Sequence, residues 1–157
     1  MIEYFVVFFI VLFCSIVGSF VQSNFTKGLL CFISAMSICL LGGLRWEIWT
    51  DWPMYYKIFL NPFDVTQDFE IGFIWVNQIF NVFGINYSAF LVLYYAVLIL
   101  VIIKITREYS KDYYPLVLVV YFSLFLLTSG GMRQHIALFF FFCSLKFIVN
   151  RKLVNFL

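Results

Sequence analysis

Charge is the scarcest commodity in this chain: 11% of its 157 residues are ionic, where soluble domains carry roughly a quarter. Ten Lys and Arg stand against eight Asp and Glu, a net charge of +2. With no clustered basic face, a nucleic-acid partner is excluded, because phosphate binding needs one. Histidine occurs once, at His135, and Cys14, Cys31, Cys39 and Cys143 form no CxxC pair, so a His/Cys metal centre has no ligand set. The cysteines sit in apolar runs and read as small buried hydrophobes. The first apolar run reads as a retained spanning helix and not as a cleavable signal, because it carries Glu3 in place of a basic n-region and has no small-x-small site. Internal repeats, low-complexity segments, a nucleophile elbow, a phosphate loop and a zincin motif are all missing.

What is abundant is apolar. Hydrophobic residues make up 64% of the chain, with 22 Phe, 10 Tyr and 4 Trp, and mean hydropathy is +1.01. A spanning helix needs about 20 such residues to cross ~30 Å of hydrocarbon. The runs Ile2 to Val21, Gly28 to Leu44, Tyr87 to Ile103, Tyr113 to Ser129 and His135 to Val149 therefore predict five spans. Ile71 to Phe83 is shorter and interrupted by Asn77, Gln78 and Asn81, which predicts a partial, interfacial or re-entrant helix. The expected fold is all-α, a polytopic transmembrane bundle forming one integral membrane domain over residues 1–157. After Arg151-Lys152 another apolar run begins at Leu153 and the sequence stops within it. This reads as part of a longer protein, truncated at its C-terminal side.

The excess of Lys and Arg in cytoplasmic loops orients such a chain. Lys104, Arg107, Lys111, Lys146, Arg151 and Lys152 fall on one side when Arg133 falls on the other. The longest polar stretch, Arg45 to Glu70, reads as a loop holding five of the eight acidic residues. Basic-residue counts do not decide its side; the partial helix that follows places it on the outer face with Arg133.

Ionisable groups in or near hydrocarbon are costly, so each is a functional candidate. Arg133 follows Gly130-Gly131-Met132 at the start of a helix, where free N–H groups, the helix dipole and a guanidinium fork suit a phosphate or diphosphate. The alternative is an arginine reaching for lipid headgroups. In the loop, Arg45, Glu47, Asp51, Tyr55, Tyr56 and Glu70 combine carboxylates with rings able to stack on sugars. A partly desolvated Asp51 would make a general base. Alternatively these rings belong to the interfacial aromatic belt and the acids are solvated. His135 is either a proton carrier or ligand, or a packing residue.

Gly43-Leu44-Arg45-Trp46, Thr50-Asp51-Trp52, Tyr55-Tyr56, Glu70-Ile71-Gly72-Phe73 and Met132-Arg133-Gln134-His135-Ile136-Ala137 resemble, in order and spacing, the EpsG family of membrane proteins. The resemblance implies a Wzy-like polymerase of bacterial exopolysaccharide, capsule or O-antigen. Such a protein acts at the outer face of the cytoplasmic (inner) membrane on polyprenyl-diphosphate-linked oligosaccharides, beside other polysaccharide-assembly membrane proteins. It implies Asp51, Glu70 and Arg133 as catalytic residues, with Arg45, Tyr55, Gln134 and His135 around the substrate. Departures are Trp49, where glycine is usual, Ile71, where proline often follows the glutamate, and His135, where a small residue is usual. Two arginines neutralise a diphosphate, so no metal or other cofactor is called for; a divalent ion between Asp51 and Glu70 is the alternative. The competing reading is a membrane transport component with Arg133 and Glu70 paired along a path, or an inactive truncation product.

Overall fold

The computed structural model describes residues 2–44, 52–61, 71–127 and 132–149. They form seven helices: α1 (Ile2–Phe20), α2 (Asn24–Gly43), α3 (Trp52–Leu60), α4 (Ile71–Val82), α5 (Tyr87–Tyr109), α6 (Leu116–Leu127) and α7 (Met132–Val149). Three of them, α1, α2 and α5, are long and apolar enough to cross a membrane. α6 covers 12 residues, a rise of about 18 Å, because Tyr113 to Pro115 belong to a turn and residues 128–131 lie outside the description. α7 covers 18 residues. The expected five spans thus correspond to three long helices and two others.

Local chemistry explains the helix ends. α2 starts before the expected Gly28 because the Ser23 hydroxyl caps it, accepting from the Thr26 N–H at 3.4 Å. α5 starts under the Asn86 cap, whose Oδ1 accepts from the Ala89 N–H at 2.7 Å. It then runs past the expected end at Ile103 through Lys104, Arg107 and Glu108, all good helix formers, until Ser110 turns extended. α4 closes in a Schellman motif: Ile85 N–H donates to the Phe80 carbonyl and Gly84 N–H to that of Asn81, with Gly84 at φ 66°, a conformation glycine adopts without strain.

α1 packs on α2 and α6, α2 on α5, and α5 on α6 and α7. Their shared core holds Val11, Ile38, Tyr95, Ile99, Leu118 and Phe122. The opposite face of α1 leaves Phe5, Phe9, Phe13 and Phe20 exposed. A stripe of that kind is intolerable in water and suited to lipid. Gly42 and Gly43 lie in the last turn of α2 and bring it against α5. A Cβ on Gly42 would meet the Tyr95 ring at 2.6 Å, and one on Gly43 the Val92 backbone nitrogen at 2.8 Å. Small residues at such a crossing let backbones approach where lipid supplies no hydrophobic drive.

Lys27 is buried in the first turn of α2, its Nζ 3.1 Å from Asp112 in the turn before α6. This ion pair joins the α1–α2 and α5–α6 turns at one end of the bundle. Lys104, Arg107 and Lys111 share that end by position along the chain. Because the Lys27 side chain is 5% exposed and that of Asp112 75%, the two halves are unequal. Asp112→Ala strands a buried ammonium, whereas Lys27→Met frees only a solvated carboxylate. We expect Asp112→Ala to cost about 1 kcal/mol and Lys27→Met less; thermal unfolding of the detergent-solubilised protein reads the order, and the reverse order would contradict it.

Candidate functional site

The end of the bundle opposite the ion pair gathers the C-terminal turn of α2, the first turns of α5 and α7, and the two short helices. Segment 52–60, expected to be loop, is helix α3. Pro53 sits in its first turn, where a missing N–H costs nothing, and the buried residues Trp52, Tyr55, Ile58 and Phe59 recur at helical spacing. That periodicity was present in the sequence but was masked by the polar flanks.

Aromatic rings tie α3 and α4 to the start of α5. Trp52 stacks on Tyr56 with centroids 4.9 Å apart and meets Tyr87 edge-on at 5.8 Å. Phe59 lies 5.2 Å from Tyr87 and 5.4 Å from Phe90, and Tyr55 packs edge-on against Phe73 at 5.5 Å. The Asn81 amide donates to the Phe59 carbonyl at 2.7 Å, joining α4 to the end of α3. Asn77, one turn earlier, is fully buried and donates to the Phe73 carbonyl at 2.7 Å. The asparagines that interrupt the apolar run therefore form the inward face of α4. Its outward face is Trp75, Val76, Ile79 and Val82, all exposed, the inverse of a helix bathed in water.

Ile136 of α7 packs against this aromatic cluster, so α7 begins beside it. Met132 to His135 form the first turn, so the helix opens ahead of the apolar run and Arg133 stands at its start, as expected. The backbone of Arg133 lies in that turn, while its side chain is outside the description; Gln134 is exposed. His135 is fully buried. Its Nδ1 is 3.3 Å from the Tyr121 hydroxyl of α6, and its ring meets Tyr95 of α5 edge-on at 5.7 Å. Tyr55 is buried in the aromatic cluster. Arg45, Asp51 and Glu70 fall outside the described residues, as do Glu47 and the Gly130-Gly131 pair. Of the expected constellation, the fold brings Tyr55, the Arg133 backbone, Gln134 and His135 to one end.

A cleft of about 390 Å³ lies at the other end, lined by Ile105, Thr106, Tyr109, Tyr113, Tyr114 and Val117. The Arg107 guanidinium carbon is 5.8 Å from the Tyr114 ring centroid. None of the expected site residues lines this cleft.

Helices with lipid-facing stripes, closed by small-residue contacts and a buried aromatic end, define a helical membrane protein. A family model described as the EpsG family matches residues 28–157. The chain belongs to the EpsG family, and with that membership it is a polysaccharide-related membrane protein. No curated protein and no solved structure matches it.

Proposed function

We propose that this chain acts as a multi-pass polymerase of the bacterial cytoplasmic membrane. Its reaction joins polyprenyl-diphosphate-linked repeat units of an O-antigen, capsule or exopolysaccharide at the outer face. One observation carries the reading: the first turn of α7, with the family motif Arg133-Gln134, starts beside the α3–α4–α5 aromatic cluster through Ile136. A helix start and a guanidinium suit a diphosphate, and the rings next to them suit a glycan or its lipid carrier.

In the proposed reaction a hydroxyl of one lipid-linked unit attacks the anomeric carbon of another glycan. The bond from that carbon to the diphosphate oxygen breaks as the new glycosidic bond forms. Asp51 or Glu70 takes the hydroxyl proton. Arg133, with Arg45 and the N–H groups of α7, stabilises the negative charge gathering on the departing polyprenyl diphosphate. Gln134 hydrogen-bonds phosphate or sugar, and Tyr55 backs the glycan side.

The test is Asp51→Asn and Glu70→Gln in the full-length protein in cells, reading surface glycan on gels against the amount of protein in the membrane. At least one substitution is expected to collapse the ladder to single repeat units. Normal chain lengths in both overturn the general-base assignment. Loss of every surface unit, single repeats included, points instead to transport.

A further inference from the structure

The buried contact between Tyr121 and His135 has no part in the proposed chemistry, yet it lies one residue from the Arg133-Gln134 motif. Both side chains are shut away, Tyr121 at 1% and His135 at 0% exposure. The Tyr121 hydroxyl and His135 Nδ1 are 3.3 Å apart. Tyr95 meets the imidazole edge-on, and the Tyr121 ring lies 5.7 Å from it, centroid to centroid. Separating two polar groups in buried surroundings gives up a hydrogen bond that water does not replace.

α7 packs on α5, and its composition gives it little rotational preference. Phe139, Phe140, Phe141 and Phe142 follow one another around the helix, and apolar residues on every side let a helix turn in lipid at small cost. In a bilayer, interhelical polar contacts and close packing set helix rotation. Successive residues of a helix are 100° apart at 3.6 residues per turn. Fixing His135 toward α6 therefore fixes the directions of residues 133 and 134, and Gln134 accordingly emerges exposed.

We propose that Tyr121 is a positioning residue: its hydrogen bond to His135 sets the rotation of the first turn of α7, and so the direction in which Arg133 and Gln134 are presented. The consequence for a diphosphate rests on the proposed function; the geometric claim stands apart from it.

The experiment labels the detergent-solubilised full-length protein carrying Gln134→Cys with a thiol reagent, reading modification of each cysteine by peptide mass spectrometry. Cys31, buried in α2, serves as internal control. Tyr121→Phe is expected to change the labelling rate at position 134 by about threefold or more, the size of a typical interhelical hydrogen bond in a membrane protein, with Cys31 unaltered. His135→Leu gives the same change, and the double variant exceeds neither single one. His135→Asn, whose amide oxygen stands where Nδ1 was, restores the parent rate. An unchanged rate at 134, additive effects, or a parallel rise at Cys31 marking general loosening, each overturns the proposal. None of these readings depends on polymer synthesis, so a failed polymerase assignment leaves this result interpretable.

Discussion

Arg133→Lys in the full-length protein is expected to leave the polypeptide in the membrane and cut long-chain glycan by at least roughly tenfold. Removal of one donor to a developing anion costs about 10²–10³ in rate. Lysine keeps the charge, which moderates the loss. It offers a compact ammonium on a flexible stem in place of a planar fork that grips two phosphate oxygens at once. The substituted residue lies in the first turn of α7, where the helix's own N–H groups already favour an anion. Weakened, not absent, leaving-group stabilisation is thus the expected phenotype: shorter ladders with normal single-unit display. Gln134→Ala should shorten them less, since it removes neutral hydrogen bonds. The measurement is the glycan ladder per molecule of membrane-inserted protein. Ladders of normal length at normal abundance would remove Arg133 from the reaction.

Much of this architecture was legible because apolar runs in lipid need no tertiary context. α1 ends within a residue of the run that predicted it, and α4 is as short as its length and its asparagines implied. Elements whose cause is non-local were not legible. The pairing of Lys27 had no local signal, because nothing nearby in sequence reveals that Asp112, 85 residues later, meets it. The apolar run ends at Ile103, although helix propensity carries α5 through Lys104, Arg107 and Glu108. α3 was hidden inside a polar stretch, even though its buried positions recur at helical spacing. The end of the bundle that receives the aromatic cluster follows from α2 and α5 pairing antiparallel, which the glycine pair permits and no periodicity announces. His135 was flagged as one of several alternatives; its contact with Tyr121 is a property of the fold, with no separate signal in the sequence.

Gly43→Ala should be the most destabilising single-methyl change in the described helices, at about 2–3 kcal/mol, the range for overpacking a tight site. The new Cβ would collide with Val92 Cγ2 and stand 2.8 Å from the Val92 backbone nitrogen and 2.9 Å from its Cα. A side chain can swing aside, but the backbone of α5 cannot without moving the helix. At Gly42 the obstacle is the Tyr95 ring at 2.6 Å. That ring is fully buried but is still a side chain, so a smaller loss is expected. Gly28 and Gly72 have nothing within 4 Å of an added Cβ. Alanine there should be neutral or stabilising by up to about 1 kcal/mol, the helix-propensity difference. Thermal unfolding of the solubilised variants, followed by tryptophan fluorescence, gives the order Gly43, Gly42, then Gly28 and Gly72. A Gly43→Ala protein as stable as the parent would mean that α2 and α5 do not approach this closely. The consequence reaches the proposed site, because Gly43 precedes Arg45 by two residues and Val92 follows Tyr87 by less than two turns of α5. Prying this crossing apart shifts the end of α2 away from the aromatic cluster against which α7 starts. A Gly43→Ala variant that still inserts should therefore lose glycan chain length along with stability, while Gly28→Ala, near the other end of the same helix, should lose neither.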